Sequence, residues 1–340
     1  MSIEIEYEHC RRRRQLLGIM GSSLALPMAG LGALAPGVAR AADPLVVGGL
    51  PVTCNLTLPI ACSARAGAFE FSKYSGWPEI KESLMTGRIQ AAYMLAPLVM
   101  DLADRKIPLK IVSLGHRSGA VIMVRTDSPY KRFADLRGKR IAIPSRFAVD
   151  FLFLRKMLAR EKMSPKDVQI LEMAPPDMPA ALYANAVDAY CTGEPFGAAA
   201  QKAGYARPLS MTRDEWRNYI CCVLTVREEL IKSNRPLVQD LVNHVQAAGN
   251  WLDATPANRA KAAKIAATRK FFNQDPKVIQ FVMDNPADRV TYGDLRMIRS
   301  EFDELMQLSI EAGTLKRPVA FETYVDESFV KSIKPVSIAL

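Results

Sequence analysis

The stretch Leu84-Met85-Thr86-Gly87-Arg88-Ile89-Gln90-Ala91-Ala92-Tyr93-Met94-Leu95-Ala96-Pro97 aligns without a gap on Leu182-Tyr183-Ala184-Asn185-Ala186-Val187-Asp188-Ala189-Tyr190-Cys191-Thr192-Gly193-Glu194-Pro195. This internal near-repeat constrains the fold more than any other feature. Each copy reads as a helix end, a turn, an apolar strand and a proline opening the next helix. Such alternation excludes an all-helical bundle and an all-β sandwich, and two separated copies point to two α/β lobes built as variants of one unit. In both, a helix start meets the carboxyl end of a strand, the edge at which open α/β sheets bind ligands.

The same alternation runs on either side of the repeat. Apolar runs predict strands at residues 45–49, 69–74, 89–95, 110–114, 121–125, 141–143, 168–173, 187–192 and 220–226. Helices are expected between them, with Pro59 early in the first and Gly67 ending it, Pro78 in the first turn of the second, and a mostly helical stretch over 235–313. Lobe 1 is expected to comprise residues 42–127 and 221–340, and lobe 2 residues 128–220. At 340 residues and 49% hydrophobic content, the chain has ample apolar material for a sizeable core.

Residues 1–41 read as an export signal: Arg11 to Arg14 form a charged region, residues 16–34 an apolar one, and Ala39-Arg40-Ala41 a small-residue cleavage site. Arg13-Arg14-Gln15-Leu16-Leu17 resembles the twin-arginine export motif, and a mature N-terminus is expected near Ala42. An uncleaved anchor is the alternative. The segment Gly30-Leu31-Gly32-Ala33-Leu34-Ala35 matches a dinucleotide fingerprint but follows no strand, so it carries no cofactor expectation. Removing the leader lowers the net charge from +10 to +8, since five arginines and three glutamates leave together. No block of Lys and Arg interleaved with aromatics survives, so nucleic acid is not an expected partner.

Nucleophile elbow, phosphate loop and zincin motifs are all absent from the sequence, so no catalytic set and no cofactor are expected. Beyond the leader the histidines are His116, in a loop between two strands, and His244, inside the late helical run. Five cysteines remain in the mature chain, Cys54, Cys62, Cys191, Cys221 and Cys222; an odd number leaves at least one thiol free or paired between chains. Their spacing fits no zinc motif, and Cys221 and Cys222, as strand neighbours, are expected on opposite faces.

Ser75-Gly76-Trp77-Pro78-Glu79, Met94-Leu95-Ala96-Pro97, residues 133–143, Ala174-Pro175-Pro176-Asp177-Met178 and above all Thr192-Gly193-Glu194-Pro195-Phe196 resemble the substrate-binding proteins of the nitrate, bicarbonate, taurine and aliphatic-sulfonate importers, a family that also includes binders of thiamin pyrimidine precursors. The resemblance spans about residues 45–324. It implies a two-lobed type II periplasmic-binding-protein fold with mixed sheets flanked by helices and a ligand cleft between the lobes. It also implies a periplasmic, monomeric solute-binding component working with the permease and ATPase of an ABC importer. Ala120 and Asp150 stand where nitrate and bicarbonate binders usually carry glutamine and histidine, which argues against a small oxyanion.

Strand ends and helix starts supply the expected cleft wall: Thr53, Cys54, Asn55, Thr57, Trp77, Leu95, Ala96, His116, Ser145, Arg146, Phe147, Thr192, Gly193 and Glu194. This mixture suits a polar organic solute, though an anionic one stays open. Trp77 reads equally as a core residue, and Glu194 as a helix cap. Two other classes remain as alternatives: an enzyme of the pyrimidine-synthase or small-lyase kind on the same fold, and a soft-metal binder using cleft cysteines, although no metal set is assigned from spacing.

Overall fold

Short runs rich in Val, Ile, Leu and Ala, bounded by glycine and proline, form two separate sheets that share one large hydrophobic core, and the second sheet has a smaller cluster of its own around Val121, Met123 and Tyr190. The computed structural model describes residues 43–217 and 219–340, so the leader reading falls outside the described residues. Strands β1 (Leu45–Gly49), β2 (Phe69–Lys73), β3 (Ala91–Leu95) and β4 (Leu109–Leu114) alternate with helices α1 (Thr57–Ala64), α2 (Trp77–Met85) and α3 (Ala96–Asp104). After β5 (Arg117–Ser118) come β6 (Ala120–Arg125), β7 (Arg140–Ile143), helix α4 (Val149–Arg160) and β8 (Gln169–Glu172). Then follow α5 (Met178–Tyr183), β9 (Ala189–Gly193), α6 (Phe196–Lys202), β10 (Ala206–Met211) and β11 (Cys222–Arg227).

The first sheet has the order β2-β1-β3-β11-β4 and the second β10-β6-β9-β7-β8. In each, a parallel core is joined by antiparallel members: β11 runs against β3 and β4, and β6 against β9. The two halves of the sequence repeat thus become β3 and β9 with α3 and α6 after them. One boundary differs from the sequence expectation. Strand β6 pairs with β9 and β10, so the chain first passes between sheets at residues 115–119, not at the expected lobe boundary between 127 and 128. The return passage occupies residues 212–221 and ends where β11 begins.

The remaining chain supplies helices α7 (Arg235–Ala254), α8 (Pro256–Ala266), α9 (Pro276–Asp284) and α10 (Arg299–Glu311), with the short strand β12 (Val290–Thr291) pairing with β5. Helix α7 packs on α1, α9 on α6, and α10 on both α3 and α4, so this segment braces both sheets. Among the described residues no helix is long and apolar enough to cross a membrane.

Beside β12, Asp294 holds Arg296 at 2.7 Å and Arg117 at 3.5 Å. The hydrogen bond from Arg296 outweighs partial burial and, with the charge of Arg117, holds the Asp294 carboxyl at about 2. A depressed folded-state value stabilises above the unfolded carboxyl range and is lost as pH falls toward the folded one. Because the side chain is 41% exposed, screening reduces the contribution to about 1 kcal/mol. Asp294→Asn should therefore lower the urea-unfolding free energy by about 1 kcal/mol at pH 7 and by roughly half as much at pH 3.

Candidate functional site

The carboxyl edge of the first sheet turns back on itself before α1. Asn55 Oδ1 accepts the Leu50 N–H at 2.8 Å, closing the Leu50-Pro51-Val52 bend, and Thr53–Asn55 forms a single 3-10 turn. Thr53 donates twice to the Glu194 carbonyl, from its N–H at 2.8 Å and its hydroxyl at 3.0 Å. The Tyr292 hydroxyl donates to the Thr53 carbonyl at 2.8 Å. These bonds join the β1 edge directly to the residue that follows β9. Cys54 sits within this seam: a Cβ added to Gly193 would lie 3.1 Å from its sulfur, and one on Gly119 3.7 Å. Bare backbone of the second sheet therefore covers the thiol.

Two further groups meet Cys54 from neighbouring strands of the first sheet. His116 follows Gly115 at the end of β4, and Cys222 opens β11. The antiparallel register puts those ends side by side, with Gly115 donating to the Cys222 carbonyl at 2.9 Å and the Cys222 N–H reaching His116 Nε2 at 3.3 Å. The sulfurs of Cys54 and Cys222 and a His116 ring nitrogen lie within 4.8 Å of one another, all buried. His116 Nδ1 is buried without a hydrogen-bond partner among the described residues. Cys221 Sγ is 3.9 Å from Cys222 Sγ, so the two cysteines do not take opposite faces. Alternation fails because Cys221 precedes β11, where the backbone is not yet pleated.

Asp150, in the first turn of α4, is 3% exposed and its Oδ1 has no partner among the described residues. Cys191 spans the short gap behind it, its thiol donating to the Asp150 carbonyl at 3.3 Å. Protonation follows from these contacts. A hydrogen bond from Cys222 overcomes burial and, with the charge of His116, brings the Cys54 thiol down to about 5. Cys222 likewise brings Cys221 down to about 6, against burial. Burial alone would lower His116, but the adjacent Cys54 thiolate outweighs it and holds the imidazole up at about 10. Burial pushes Cys222 and Asp150 well above their ordinary ranges, and the thiolates beside them push further.

On the other side of Cys54, Glu194 is fully buried and pairs with Arg289 at 2.6 Å, while its second oxygen accepts the Ala198 N–H of α6 at 2.8 Å. Its carboxylate thus serves as both helix cap and ion-pair partner. Of the other expected residues, Thr192 is buried at the end of β9 beside Gly193. Leu95 and Ala96 back the cluster, Leu95 in register with Cys222 and the Ala96 N–H donating to the Cys221 carbonyl at 3.1 Å. Thr57 meets the Tyr93 hydroxyl at 2.6 Å and the Gly115 carbonyl at 3.4 Å. Trp77 is 5% exposed within the hydrophobic core. Arg146 is 49% exposed and paired with Glu172, and the Ser145 hydroxyl accepts the Phe147 N–H, so this loop is engaged with itself and with β8.

Arg289 and Tyr292 were not among the expected residues, and nothing in their local sequence marks them. Asp150, Cys221 and Cys222 were legible only as oddities: an acid in the position where the resembled binders usually carry histidine, and adjacent cysteines.

Residues 48–267 match the NMT1-like family, which is more than half of the chain. The chain belongs to the NMT1-like family. It is 26% identical to the nitrate/nitrite binding protein NrtA of Nostoc sp. over 251 residues, covering 67% of this chain and 56% of that protein. The chain spans about half the length of the curated relatives it matches. The ligand-binding component of an ABC-type import system from Staphylococcus aureus, solved with zinc bound, superposes with a TM-score of 0.78 at 26% identity, covering 86% of this chain and 100% of that one. The alkanesulfonate-binding protein SsuA from Xanthomonas axonopodis pv. citri, bound to MOPS, gives a TM-score of 0.70 at 20% identity, covering 84% and 100%. This NMT1-like chain therefore has the α/β periplasmic-binding-protein fold that the sequence implied, with mixed sheets flanked by helices.

Proposed function

We propose that this chain is the exported solute-binding component of an ABC importer, taking one small solute at the seam between its sheets and passing it to a membrane permease driven by an ATPase. The observation that carries this reading is the meeting of two ligand-type sheet edges, joined through Thr53 and Glu194, in a chain of this family. Relatives that bind nitrate or alkanesulfonate, and an importer component solved with zinc, support the transport role. The reading entails export by the leader at residues 1–41, capture without turnover, and lobes that part to admit the solute. It also narrows the solute. Arg289 is paired with Glu194 and Arg117 with Glu301, so neither guanidinium beside the seam is left for a small oxyanion. The uncommitted groups are thiols, an imidazole nitrogen and the Asp150 carboxyl.

A melting-temperature screen of the mature chain against nitrate, sulfonates, pyrimidines, amino acids and metal ions tests the reading. A solute at a hundred times its dissociation constant adds about 2.7 kcal/mol of stability. The expected hit binds reversibly with one-to-one stoichiometry, is recovered chemically unchanged, and makes the particle more compact by X-ray scattering. Recovery of an altered molecule would replace the importer reading by the enzymatic one.

A further inference from the structure

The cluster of Cys54, His116, Cys221 and Cys222 has the composition of a soft-metal site and no evident structural task. The sulfurs of Cys54 and Cys222 and a His116 ring nitrogen converge at one edge of the first sheet, and the Cys221 sulfur lies 3.9 Å from that of Cys222. Thiolate-rich sets select closed-shell thiophilic ions such as Cu(I) and Zn(II) over hard cations. A metal 2.3 Å from each sulfur places tetrahedral sulfur ligands about 3.8 Å apart. The observed mutual limit of 4.8 Å is within about one ångström of that spacing, and the Cys221 to Cys222 distance of 3.9 Å already matches it.

Two unsatisfied polar atoms point the same way. His116 Nδ1 and Asp150 Oδ1 are buried without hydrogen-bond partners among the described residues, and such orphans are costly unless something answers them. A metal ion answers the imidazole directly.

We propose that Cys54, His116 and Cys222, with Cys221 as fourth donor, bind one thiophilic closed-shell metal ion, and that this ion is the cargo of the importer. The cargo role rests on the function proposed above; the site itself does not. The nearest competitor is a Cys54–Cys222 disulfide, which would need the sulfurs to close to about 2.05 Å.

The test uses the full mature chain, reduced and handled without oxygen. Cu(I) is competed between the protein and bicinchoninate, and Zn(II) between the protein and a chromophoric chelator. One equivalent of one of these ions should bind, with a sulfur-to-metal absorption band in the near ultraviolet. Cys54→Ser, Cys222→Ser and His116→Ala should each weaken binding by a hundredfold or more, while Cys62→Ser, a buried thiol on α1 outside the cluster, should leave it unchanged. Preference for Cu(I) assigns a low-coordinate site, and preference for Zn(II) a four-coordinate one with Cys221 as ligand. If a serine variant fails to fold, alkylation of the wild type decides instead: the metal should protect Cys54 and Cys222, read by mass spectrometry. Failure to bind either ion, binding that survives both serine substitutions, or labelling indifferent to metal overturns the site. Binding without compaction in scattering keeps the site and overturns its cargo role, whereas compaction with another solute and no metal uptake keeps the importer and removes the metal.

Discussion

Replacing Arg289 by methionine is expected to remove about 3–5 kcal/mol from the unfolding free energy. Glu194 and Arg289 are 0% and 2% exposed in their side chains and approach to 2.6 Å, so neither charge has water to fall back on. Burial drives the Glu194 carboxyl upward, opposed by Arg289 and by the Ala198 N–H. Without the guanidinium the carboxylate must either persist uncompensated or take up a proton, and both are costly. The double variant Glu194→Gln/Arg289→Met should recover much of the loss, because replacing both partners leaves no stranded charge. Urea unfolding of the wild type and three variants, read as a double-mutant cycle, measures this coupling. A loss below about 1 kcal/mol in Arg289→Met would mean that the pair is hydrated and the seam open in solution.

Gly249→Ala is expected to cost about 3 kcal/mol, near the top of the range for overpacking. A Cβ at this position of α7 would lie 2.2 Å from the Tyr292 carbonyl oxygen and 3.2 Å from its carbonyl carbon. Backbone, not a flexible side-chain tip, must give way. That backbone is tethered to the same helix, since the Tyr292 and Gly293 N–H groups donate to Asp253 at 2.7 and 2.6 Å. Its other tie is the Tyr292 hydroxyl on Thr53, so the strain should reach the seam. Differential scanning calorimetry should show a fall in Tm of about 5–10 °C. Gly76→Ala, where the nearest atom would be at an ordinary 3.5 Å, should shift Tm by far less and serves as control. An equal fall in both would remove the packing explanation.

The parallel strands were legible in the sequence because their signals are local. β1 is an apolar run closed by glycine, and β3 and β9 carry the repeated turn, strand and helix-opening proline. Strand β10 was not read, for a physical reason: Arg207 and Pro208 break its apolar pattern. As an edge strand paired only with β6, it tolerates the proline by shifting register between Pro208 and Ser210. The first passage between sheets was displaced because β6 is as apolar as β4, and composition does not say which sheet a strand joins. At the site, the residues at strand ends could be picked from their positions. The partners that fix their chemistry could not, because Arg289 and Tyr292 reach Glu194 and Thr53 from the far end of the chain, where no periodicity marks them.

The division of the seam between the sheets has a kinetic meaning. Cys54, His116 and Cys222 all follow or open strands of the first sheet, whereas backbone on the side of the second sheet, at Gly119, Gly193 and the Glu194 carbonyl, covers the Cys54 turn. Parting the sheets would expose these side chains without scattering them. In the proposed binding role, recognition belongs to one half of the molecule and admission to the other. On that proposal, changes on the covering half speed or slow capture and release together, leaving the choice among solutes to the half that holds the thiols.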